Sequence, residues 1–459
     1  MSANSRTSLQ GLWSSRTAFV LAVSGSAVGL GNLWKFPYIA GEYGGGAFVF
    51  FYLLCVFAIG LPMMVSEVML GRRGRRNPIA TMRLLGEEEA SNHWWRLVGL
   101  AGVISGFVIL SFYSVVAGWS LEYVVQTARG SFTDSEPQVV AASFQALTGD
   151  WPRLILWHTV FMGITILIVA NGVRDGLERA VRILMPLLLL LLFILVSFAA
   201  STGELGEAIR FLFKPDFKQF SAEGALVALG HAFFTLSLGM GAVMAYGAYL
   251  PKDASITATS VAVVMVDTLV ALLATLVVFP LVFAFGLDPA AGPGLVFETL
   301  PLAFGRMELG AMFGAFFFVV LTTAALTSAI GLLEPAVAWL TETTRVPRAW
   351  ATIGLGAVVW SLGLLTIFSF NMLAEVRFWQ GTLYNNLEHV TVNILLPLVG
   401  LAITWFASWV MCGNSSAEEL DDDVSPIAYS IWRFLARFVA PAGVAIVFLN
   451  AVTTPGITT

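Results

Sequence analysis

The stretch Ser24–Pro37, "SGSAVGLGNLWKFP", interrupts an apolar run that would otherwise form the first membrane span of this chain. It follows "TAFVLAV" closely and places Gly25, Gly29 and Gly31 within seven positions. Glycine costs about 1 kcal/mol relative to alanine inside a helix, and unpaired backbone groups are costly in lipid. The glycines therefore indicate either a close helix contact of the GxxxG kind or an unwound segment that lines a watery cavity.

The composition is that of a polytopic helical membrane protein. Hydrophobic residues make up 58% of the 459 residues and charged residues 12%, whereas a soluble domain carries about 25% charged residues. Apolar runs of about 20 residues, the length that crosses a bilayer as a helix, recur along the whole chain. We therefore predict an all-α polytopic membrane protein, embedded in the lipid bilayer, with eleven transmembrane helices. The predicted segments are 15–41, 46–70, 97–127, 153–171, 178–201, 222–249, 255–286, 307–341, 348–369, 384–412 and 428–452.

Arginines in the connections predict the orientation of these segments through the positive-inside rule. The connection after the second segment contains Arg72, Arg73, Arg75, Arg76, Arg83 and Arg96. The connection after the third contains only Arg129, and the one after the fourth is basic again. The N-terminus is therefore predicted to be cytoplasmic and, because the number of spans is odd, the C-terminus to lie outside. We interpret "GRRGRRNP" as this topology signal rather than as a nucleic-acid patch, and expect no nucleic-acid partner.

The sixth segment contains a second glycine-interrupted stretch, "GHAFFTLSLGMG". Gly230, Gly239 and Gly241 flank the polar Thr235 and Ser237. The first and sixth segments occupy equivalent places if segments 1–5 and 6–10 form two repeats. Interrupted segments at corresponding places in two halves point to the substrate site of an inverted-repeat transporter. The unwound interpretation of both stretches is therefore favoured over simple helix packing.

Four motifs resemble, in order and spacing, those of the neurotransmitter:sodium symporter family: "GSAVGLGNLWKFP", "GGGAFVFFYLLCVFAIGLPMMVSEVMLGR", "FFTLSLGMG" and "LTSAIGLLEP". The resemblance implies the leucine-transporter fold, a 5+5 inverted repeat with unwound helices 1 and 6. It divides the chain into a cytoplasmic segment (1–14), a first repeat (15–201), a second repeat with an extracellular loop (202–412), and an eleventh span with the C-terminal tail (413–459). It also implies the inner, cytoplasmic membrane of a bacterium.

The resemblance implies two sodium sites. One comprises Gly25, Val28, Ala324, Thr327 and Ser328. The other comprises Ala27, Asn32, Thr235 and Asp267, and is completed by the carboxylate of the substrate. Taken alone, the Thr327 and Ser328 hydroxyls would more often bond the carbonyl one turn back.

Asp267 is a lone carboxylate in the apolar run "VVMVDTLVALL". An acid inside a membrane indicates function by default, and the alternative is a protonated or paired structural acid. Relatives often carry asparagine at this position, and some of them need chloride to supply a nearby negative charge. The built-in carboxylate therefore predicts that chloride is not required.

The resemblance also implies a substrate site between the two interrupted helices. Its residues are Ala27, Gly29, Leu30, Gly31, Ile109, Tyr113, Phe234, Thr235, Ser237, Met240, Ser328 and Leu332. Amides near Leu30 and Gly31 begin a half-helix whose positive end favours a carboxylate, and the Tyr113 hydroxyl is expected to bind the same group. Relatives that carry amines without a carboxylate place an aspartate at the position of Gly29. The glycine therefore indicates amino acids, and the apolar lining indicates hydrophobic or aromatic ones.

Gates are expected above and below this site. Lys35 and Glu388 match the outer pair, and Tyr113 and Phe234 the lid beneath it. The register fixed by "VTVNILLP" excludes Arg377 as the residue opposite Lys35. Tyr249 and Glu342 match inner gate positions.

The inner gate departs from the family pattern at its N-terminal cation. Gln10 replaces the usual arginine, so that either Arg6 substitutes for it or the inner gate is weaker. Glu334, His231 and His389 are interpreted as structural residues, and Glu67 as a support for the unwound part of helix 6.

The predicted function is sodium-coupled import of neutral amino acids, hydrophobic or aromatic, by alternating access. One alternative is sodium-coupled uptake of a small osmolyte or a β- or γ-amino acid. A passive channel would need a continuous polar stripe along several spans, whereas polar residues cluster at the midplane here. An enzyme is not expected, because GxSxG, HExxH and paired intramembrane aspartates do not occur in the sequence.

Overall fold

A computed structural model describes the chain except residues 1–5, 202–203, 219, 291, 293, 421–424 and 454–459. Within the described residues, nine helices are long and apolar enough to cross a membrane. They are Gly46–Gly74, His93–Ala128, Trp151–Ala170, Val173–Ala200, Ile256–Ala284, Gly310–Thr343, Arg348–Ser369, Leu383–Val410 and Pro426–Thr453. We call them spans 2 to 5 and 7 to 11, in chain order. Most of the C-terminal tail lies outside the described residues.

Span 1 is broken where the glycines predict it. Its halves, Arg16–Ala27 and Gly31–Glu42, are bent by 56° relative to each other. The first half begins at the N-cap Ser15 and ends where Val28 becomes extended, with φ −67° and ψ 107°. The second half starts with a π-helical turn. The interruption is therefore an unwound segment and not merely a close helix contact.

Span 6 is broken into Ala222–Thr235 and Ala242–Ala248. Ser237, Gly239 and Gly241 between them have positive φ angles of 54°, 76° and 76°, which a helix cannot accommodate. Glycine adopts such angles without steric cost. The Glu67 carboxylate accepts a hydrogen bond of 2.6 Å from the freed amide of Gly239. The structure thus places Glu67 where the sequence predicts a support for span 6.

Five shorter helices lie between the spans: Pro78–Ala90, Pro137–Gly149, Leu205–Phe213, Leu295–Gly305 and Gly413–Leu420. The sequence did not predict these helices, found among the described residues, as separate elements. They have 8 to 13 residues, too few to span a bilayer as a helix.

The two broken spans are packed inside the bundle. The seven residues from Ala22 to Val28, at the end of the first half of span 1, are all buried. The second half of span 6 contacts span 2 backbone to backbone: a Cβ atom on Gly71 would lie 2.1 Å from the Met244 carbonyl oxygen. Spans 3 and 8 pack along each other at the opposite side of the cavity. This arrangement satisfies the condition that irregular backbone at membrane depth be covered by protein.

Candidate functional site

A buried cavity lies between the two breaks and spans 3 and 8. All twelve residues predicted to bind substrate line it, together with Ser26, which sequence reasoning missed. The lining residues are Ser26, Ala27, Gly29, Leu30, Gly31, Ile109, Tyr113, Phe234, Thr235, Ser237, Met240, Ser328 and Leu332. Its described lining therefore contains no charged side chain.

One end of the cavity is polar because the break in span 1 exposes backbone amides there. The Leu30 amide donates to the Tyr113 hydroxyl at 3.2 Å, and the Gly29 amide donates to Asn32 Oδ1 at 3.0 Å. A Cβ atom on Gly29 would lie 2.6 Å from Ser328 Oγ and 2.7 Å from Tyr113 Oη. A side chain at this position, acidic or otherwise, would therefore collide with the groups that form this end.

The other end of the cavity is apolar. Ile109, Met240 and Leu332 are buried there, and the half-buried Phe234 closes the side toward the outer surface. The Gly239 and Gly241 breaks leave the backbone on both sides of Met240 non-helical. Methionine is flexible and adapts to irregular apolar shapes.

Asp267 forms a compact polar cluster with Asn32 and Thr235. The Asn32 side-chain amide donates to Asp267 Oδ1 at 2.8 Å and to Thr235 Oγ1 at 3.0 Å. The Thr235 hydroxyl donates to Asp267 Oδ2 at 3.1 Å. Asp267 is fully buried, and among the described residues no basic side chain forms an ion pair with it.

A buried carboxylate without a positive partner is costly unless a cation or a proton compensates it. Asn32 and Thr235 place two oxygen-bearing side chains beside this carboxylate, and oxygen donors are what a small hard cation prefers. The paired structural acid that the sequence left open is therefore not what the described residues show. A protonated acid and a cation ligand both remain compatible with this geometry.

The second predicted sodium set is also assembled. The Ser328 hydroxyl donates to the Val28 carbonyl at 3.1 Å and lies 3.5 Å from the Gly25 carbonyl. The Thr327 hydroxyl donates to the Ala324 carbonyl at 3.0 Å, which is the local bond that the sequence gave as the alternative. Each hydroxyl donates its proton in these bonds and keeps its oxygen lone pairs. Both oxygens can therefore still bind a cation.

A second cavity lies on the other side of Phe234, the side that the sequence predicts to face outward. Its lining includes Trp34, Lys35, Tyr384 and Glu388. Lys35 Nζ stands 5.7 Å from the centre of the Phe234 ring. Arg377 is exposed and donates to the Ala374 carbonyl instead. The structure thus places Glu388, and not Arg377, near Lys35.

At the end of the bundle predicted to be cytoplasmic, four side chains form a hydrogen-bonded network, which we call the inner network: Gln10, Tyr249, Glu334 and Arg348. The Arg348 guanidinium pairs with both carboxylate oxygens of Glu334, and the Tyr249 hydroxyl donates to Glu334 at 2.9 Å. Gln10 Oε1 accepts from Arg348 at 3.2 Å. The side chain of Glu334 is fully buried and that of Arg348 is 16% exposed.

The inner network differs from the sequence interpretation in two respects, at Glu334 and at Arg6. Glu334, interpreted as structural, carries the buried ion pair. Glu342, which matches an inner gate position, lies beside the network: it accepts from the backbone and side-chain amides of Asn77, at 3.0 and 2.7 Å, and from the Gln10 side chain. Arg6 pairs with Glu88 and donates to the Arg73 carbonyl, so it does not substitute for the missing arginine.

The signal for Glu334 was present in the sequence. It is an acid six positions after Ser328 in an apolar span, and the rule that drew attention to Asp267 applies to it equally. Arg348 could not be found in this way, because it follows Pro347 at the end of a connection. Basic residues at such positions are common topology signals.

His231 and His389, which the sequence analysis interprets as structural, are both buried and pack as structural residues would. His231 lies against the rings of Phe36 and Tyr52, with centroids 5.6 and 5.7 Å away. His389 contacts Asn393 at 3.1 Å and the Trp379 ring. Within the described residues, no group of three or more His, Cys, Asp or Glu side chains could hold a metal ion.

Comparisons with known proteins identify the family. The profile of the sodium:neurotransmitter symporter family matches residues 10–137 and 138–457. The uncharacterized sodium-dependent transporter YhdH of Bacillus subtilis is 36% identical over 445 residues, which cover 96% of this chain and 97% of YhdH. An uncharacterized sodium-dependent transporter of Haemophilus influenzae is 32% identical over 445 residues, covering 95% and 97%.

The fold is shared with MhsT, whose crystal structure has been solved in complex with L-phenylalanine. The TM-score is 0.87 and the identity 39%, with 96% of this chain and 99% of that chain covered. The all-helical leucine-transporter fold predicted from the motifs is thereby confirmed, as is the prediction that the protein is a sodium-dependent membrane transporter and not an enzyme. The chain belongs to the sodium:neurotransmitter symporter family.

Proposed function

We propose that this transporter imports a neutral hydrophobic or aromatic amino acid together with two sodium ions, by alternating access. The observation that carries the proposal is the cavity between the broken spans. It has the backbone amides of the break in span 1 and a tyrosine hydroxyl at one end, apolar side chains at the other, and no charged lining residue. Such a cavity complements a zwitterion with an uncharged, apolar side chain.

The carboxylate of the amino acid would lie at the break in span 1. The amides near Leu30 and Gly31 begin a twelve-residue half-helix, whose positive end favours an anion. The Tyr113 hydroxyl, which already meets the Leu30 amide, would donate to the same carboxylate. The carbonyls freed around Ala27 and in the break of span 6 would accept from the ammonium group.

The first sodium ion would bind Asp267, Thr235, Asn32 and the Ala27 carbonyl. The buried carboxylate compensates the charge of the ion, and the substrate carboxylate completes the site. Neither ligand binds as well without the other, which couples the ion to the amino acid. Because Asp267 supplies a negative charge within the protein, we propose that chloride is not required.

The second sodium ion would bind the carbonyls of Gly25, Val28 and Ala324 and the hydroxyls of Thr327 and Ser328. The Ser328 hydroxyl already bridges from span 8 to two of these carbonyls in span 1. An ion at this place would hold the first half of span 1 against span 8. Sodium would thereby stabilise one arrangement of the bundle.

Two sodium ions supply enough energy for strong accumulation. One charge crossing 100 mV contributes about 2.3 kcal/mol, and a tenfold concentration ratio about 1.4 kcal/mol. Two ions with one zwitterion therefore provide roughly 7 kcal/mol, which sets an accumulation limit of about 10⁵-fold.

The preference for larger apolar amino acids rests on the apolar end of the cavity. Ile109, Met240 and Leu332 offer contact surface but no polar partner for a substrate side chain. The related MhsT has been crystallised with L-phenylalanine, and an aromatic substrate would suit the cavity here as well. Lys35 and Glu388 would close the outer cavity above Phe234, and the inner network would close the cytoplasmic end.

The test is thermal stabilisation of the purified full-length protein by each proteinogenic amino acid, in sodium gluconate, sodium chloride and potassium chloride. We expect a few apolar amino acids, phenylalanine among them, to raise the melting temperature in both sodium salts and not in potassium. Asp267→Asn should need a higher sodium concentration for the same stabilisation, and Asp253→Asn, at an exposed connection, should respond to sodium as the wild type does. Equal shifts in sodium and potassium would refute the sodium sites, and stabilisation only by β- or γ-amino acids or betaines would refute the substrate class.

A further inference from the structure

A groove on the membrane-facing surface between spans 4 and 5 is amphipathic. Its volume is about 430 Å³. Its polar end lies at the connection between the two helices and contains Asn171, Asp175 and Arg179. The rest is lined by apolar residues from both helices and from span 8: Ile164, Leu167, Ile168, Ala180, Ile183, Leu184 and Leu326.

The groove is shaped by a close approach of the two helices at its polar end. Gly176 packs so tightly that a Cβ atom on it would lie 2.1 Å from the Ile168 carbonyl oxygen. From there the helices diverge, and Leu326 of span 8 forms the floor at 8% exposure. Leu167 and Ile183 on the rims are 67% and 61% exposed. The rims and floor together could hold an acyl chain.

The side chains of the two charged residues at the polar end form no hydrogen bond or ion pair with any described residue. Asp175 and Arg179 are both exposed and stand four positions apart on one helical segment, so their side chains are neighbours. One carboxylate next to one guanidinium complements a headgroup that carries an ammonium and a phosphate. A purely anionic headgroup would meet the repulsion of Asp175.

We propose that this groove binds a phospholipid with an ethanolamine headgroup. The phosphate would accept from the Arg179 guanidinium, which suits phosphate geometry, and the ammonium would donate to Asp175. One acyl chain would lie along Leu167 and Ile183 on Leu326. A choline headgroup cannot donate a hydrogen bond to Asp175, and a glycerol headgroup has no cation, so the site should prefer ethanolamine.

The segment 173–179, which contains both charged residues, also contacts residues 12–14 near the N-terminus. On its other side, Glu178 accepts from the Ser14 amide at 3.0 Å, and Arg174 donates to the Leu12 carbonyl at 3.1 Å. A lipid that fixes 173–179 would therefore also fix residues 12–14, which lead into span 1. Lipid binding should stabilise the arrangement seen here.

The experiment is native mass spectrometry of the full-length protein, released from nanodiscs that contain equal parts of ethanolamine, choline and glycerol phospholipids. We expect one ethanolamine lipid to be retained preferentially. In the double variant Asp175→Asn/Arg179→Gln this retention should fall by about threefold, the factor expected for losing exposed charge pairs. The matched variant Asp253→Asn/Arg345→Gln removes the same charges from exposed connections outside the groove and should bind as the wild type does.

A second variant tests the acyl-chain part separately. Ala180→Phe fills the groove without touching the charges, and should lower retention of all three lipids alike. The proposal is overturned if the double variant retains ethanolamine lipid like the wild type, or if choline or glycerol lipids are retained equally well by the wild type. Neither result would bear on sodium-coupled transport, which the thermal shifts measure independently.

Discussion

Removal of the Arg348 guanidinium should open the inner end of the transporter. In Arg348→Gln, the fully buried Glu334 carboxylate keeps only the Tyr249 hydroxyl as a partner. Breaking a buried ion pair by removing one partner costs about 3–5 kcal/mol. Because the Arg348 side chain is 16% exposed, water can partly solvate the site, and we expect the lower value. About 3 kcal/mol corresponds to a roughly 10²-fold shift toward states in which the inner network is open.

Hydrogen–deuterium exchange of residues 10–14 measures this shift. The Trp13 amide donates to the Tyr249 carbonyl at 3.0 Å, so its exchange reports whether the N-terminal segment is in place. Arg348→Gln should accelerate this exchange by about 10²-fold. Arg345→Gln, an exposed arginine three positions away, should leave it unchanged.

The double variant Glu334→Gln/Arg348→Gln distinguishes a charge effect from a loss of packing. It leaves no unpaired charge, and replacing a buried pair by neutral groups is often tolerated. Amide exchange of residues 10–14 should therefore be slower in the double variant than in Arg348→Gln alone. Unchanged protection in Arg348→Gln, or faster exchange in the double variant than in the single one, would refute the assignment of the inner network.

Three further predictions concern the cavity. Gly29→Ala should abolish stabilisation by amino acids in a protein that still folds, because the new Cβ would lie under 3 Å from Ser328 Oγ and Tyr113 Oη. The expected result is an unchanged circular dichroism spectrum with no shift of the melting temperature by any amino acid. Tyr113→Phe should weaken amino-acid binding about tenfold or more, as loss of a hydrogen bond to a charged group does, measured by equilibrium binding in sodium. Asp267→Asn should raise the sodium concentration needed for half-maximal binding and make binding depend on chloride, which replacement of chloride by gluconate would reveal.

The breaks in spans 1 and 6 could be predicted because glycine is costly inside a helix and backbone cannot be left unpaired in lipid. Those two constraints act on the local sequence, so the glycines mark the place of each break, and their occurrence in both the first and the sixth segment favours unwinding over close packing. The residues around the cavity could be predicted from the resemblance to the family, because the motifs fix which positions face the site. Ser26 was not predicted as a lining residue, because a small residue within a glycine-rich stretch has no chemistry that sets it apart from its neighbours.

The inner network could not be predicted in the same way, because it depends on which distant side chains meet. Gln10, Tyr249 and Arg348 are separated by up to 338 positions, and none of the three has a local pattern that names its partner. The missing arginine at position 10 left Arg6 as one predicted replacement for it. The fold places Arg6 beside Glu88 and brings Arg348 to Gln10. The positive charge of the network is therefore supplied by the first residue of span 9.

The first half of span 1 connects the inner network to the residues proposed for the second sodium ion. Trp13 precedes its N-terminal end and is bonded to Tyr249 and Tyr246, while the Gly25 and Val28 carbonyls at its other end face Ser328. The helix between them has twelve residues and is about 18 Å long, so it moves as a rigid rod. An ion that binds the carbonyls at one end favours the placement of Trp13 at the other, and by reciprocity a closed inner network favours the ion. We infer that release of sodium and opening of the inner end are one movement.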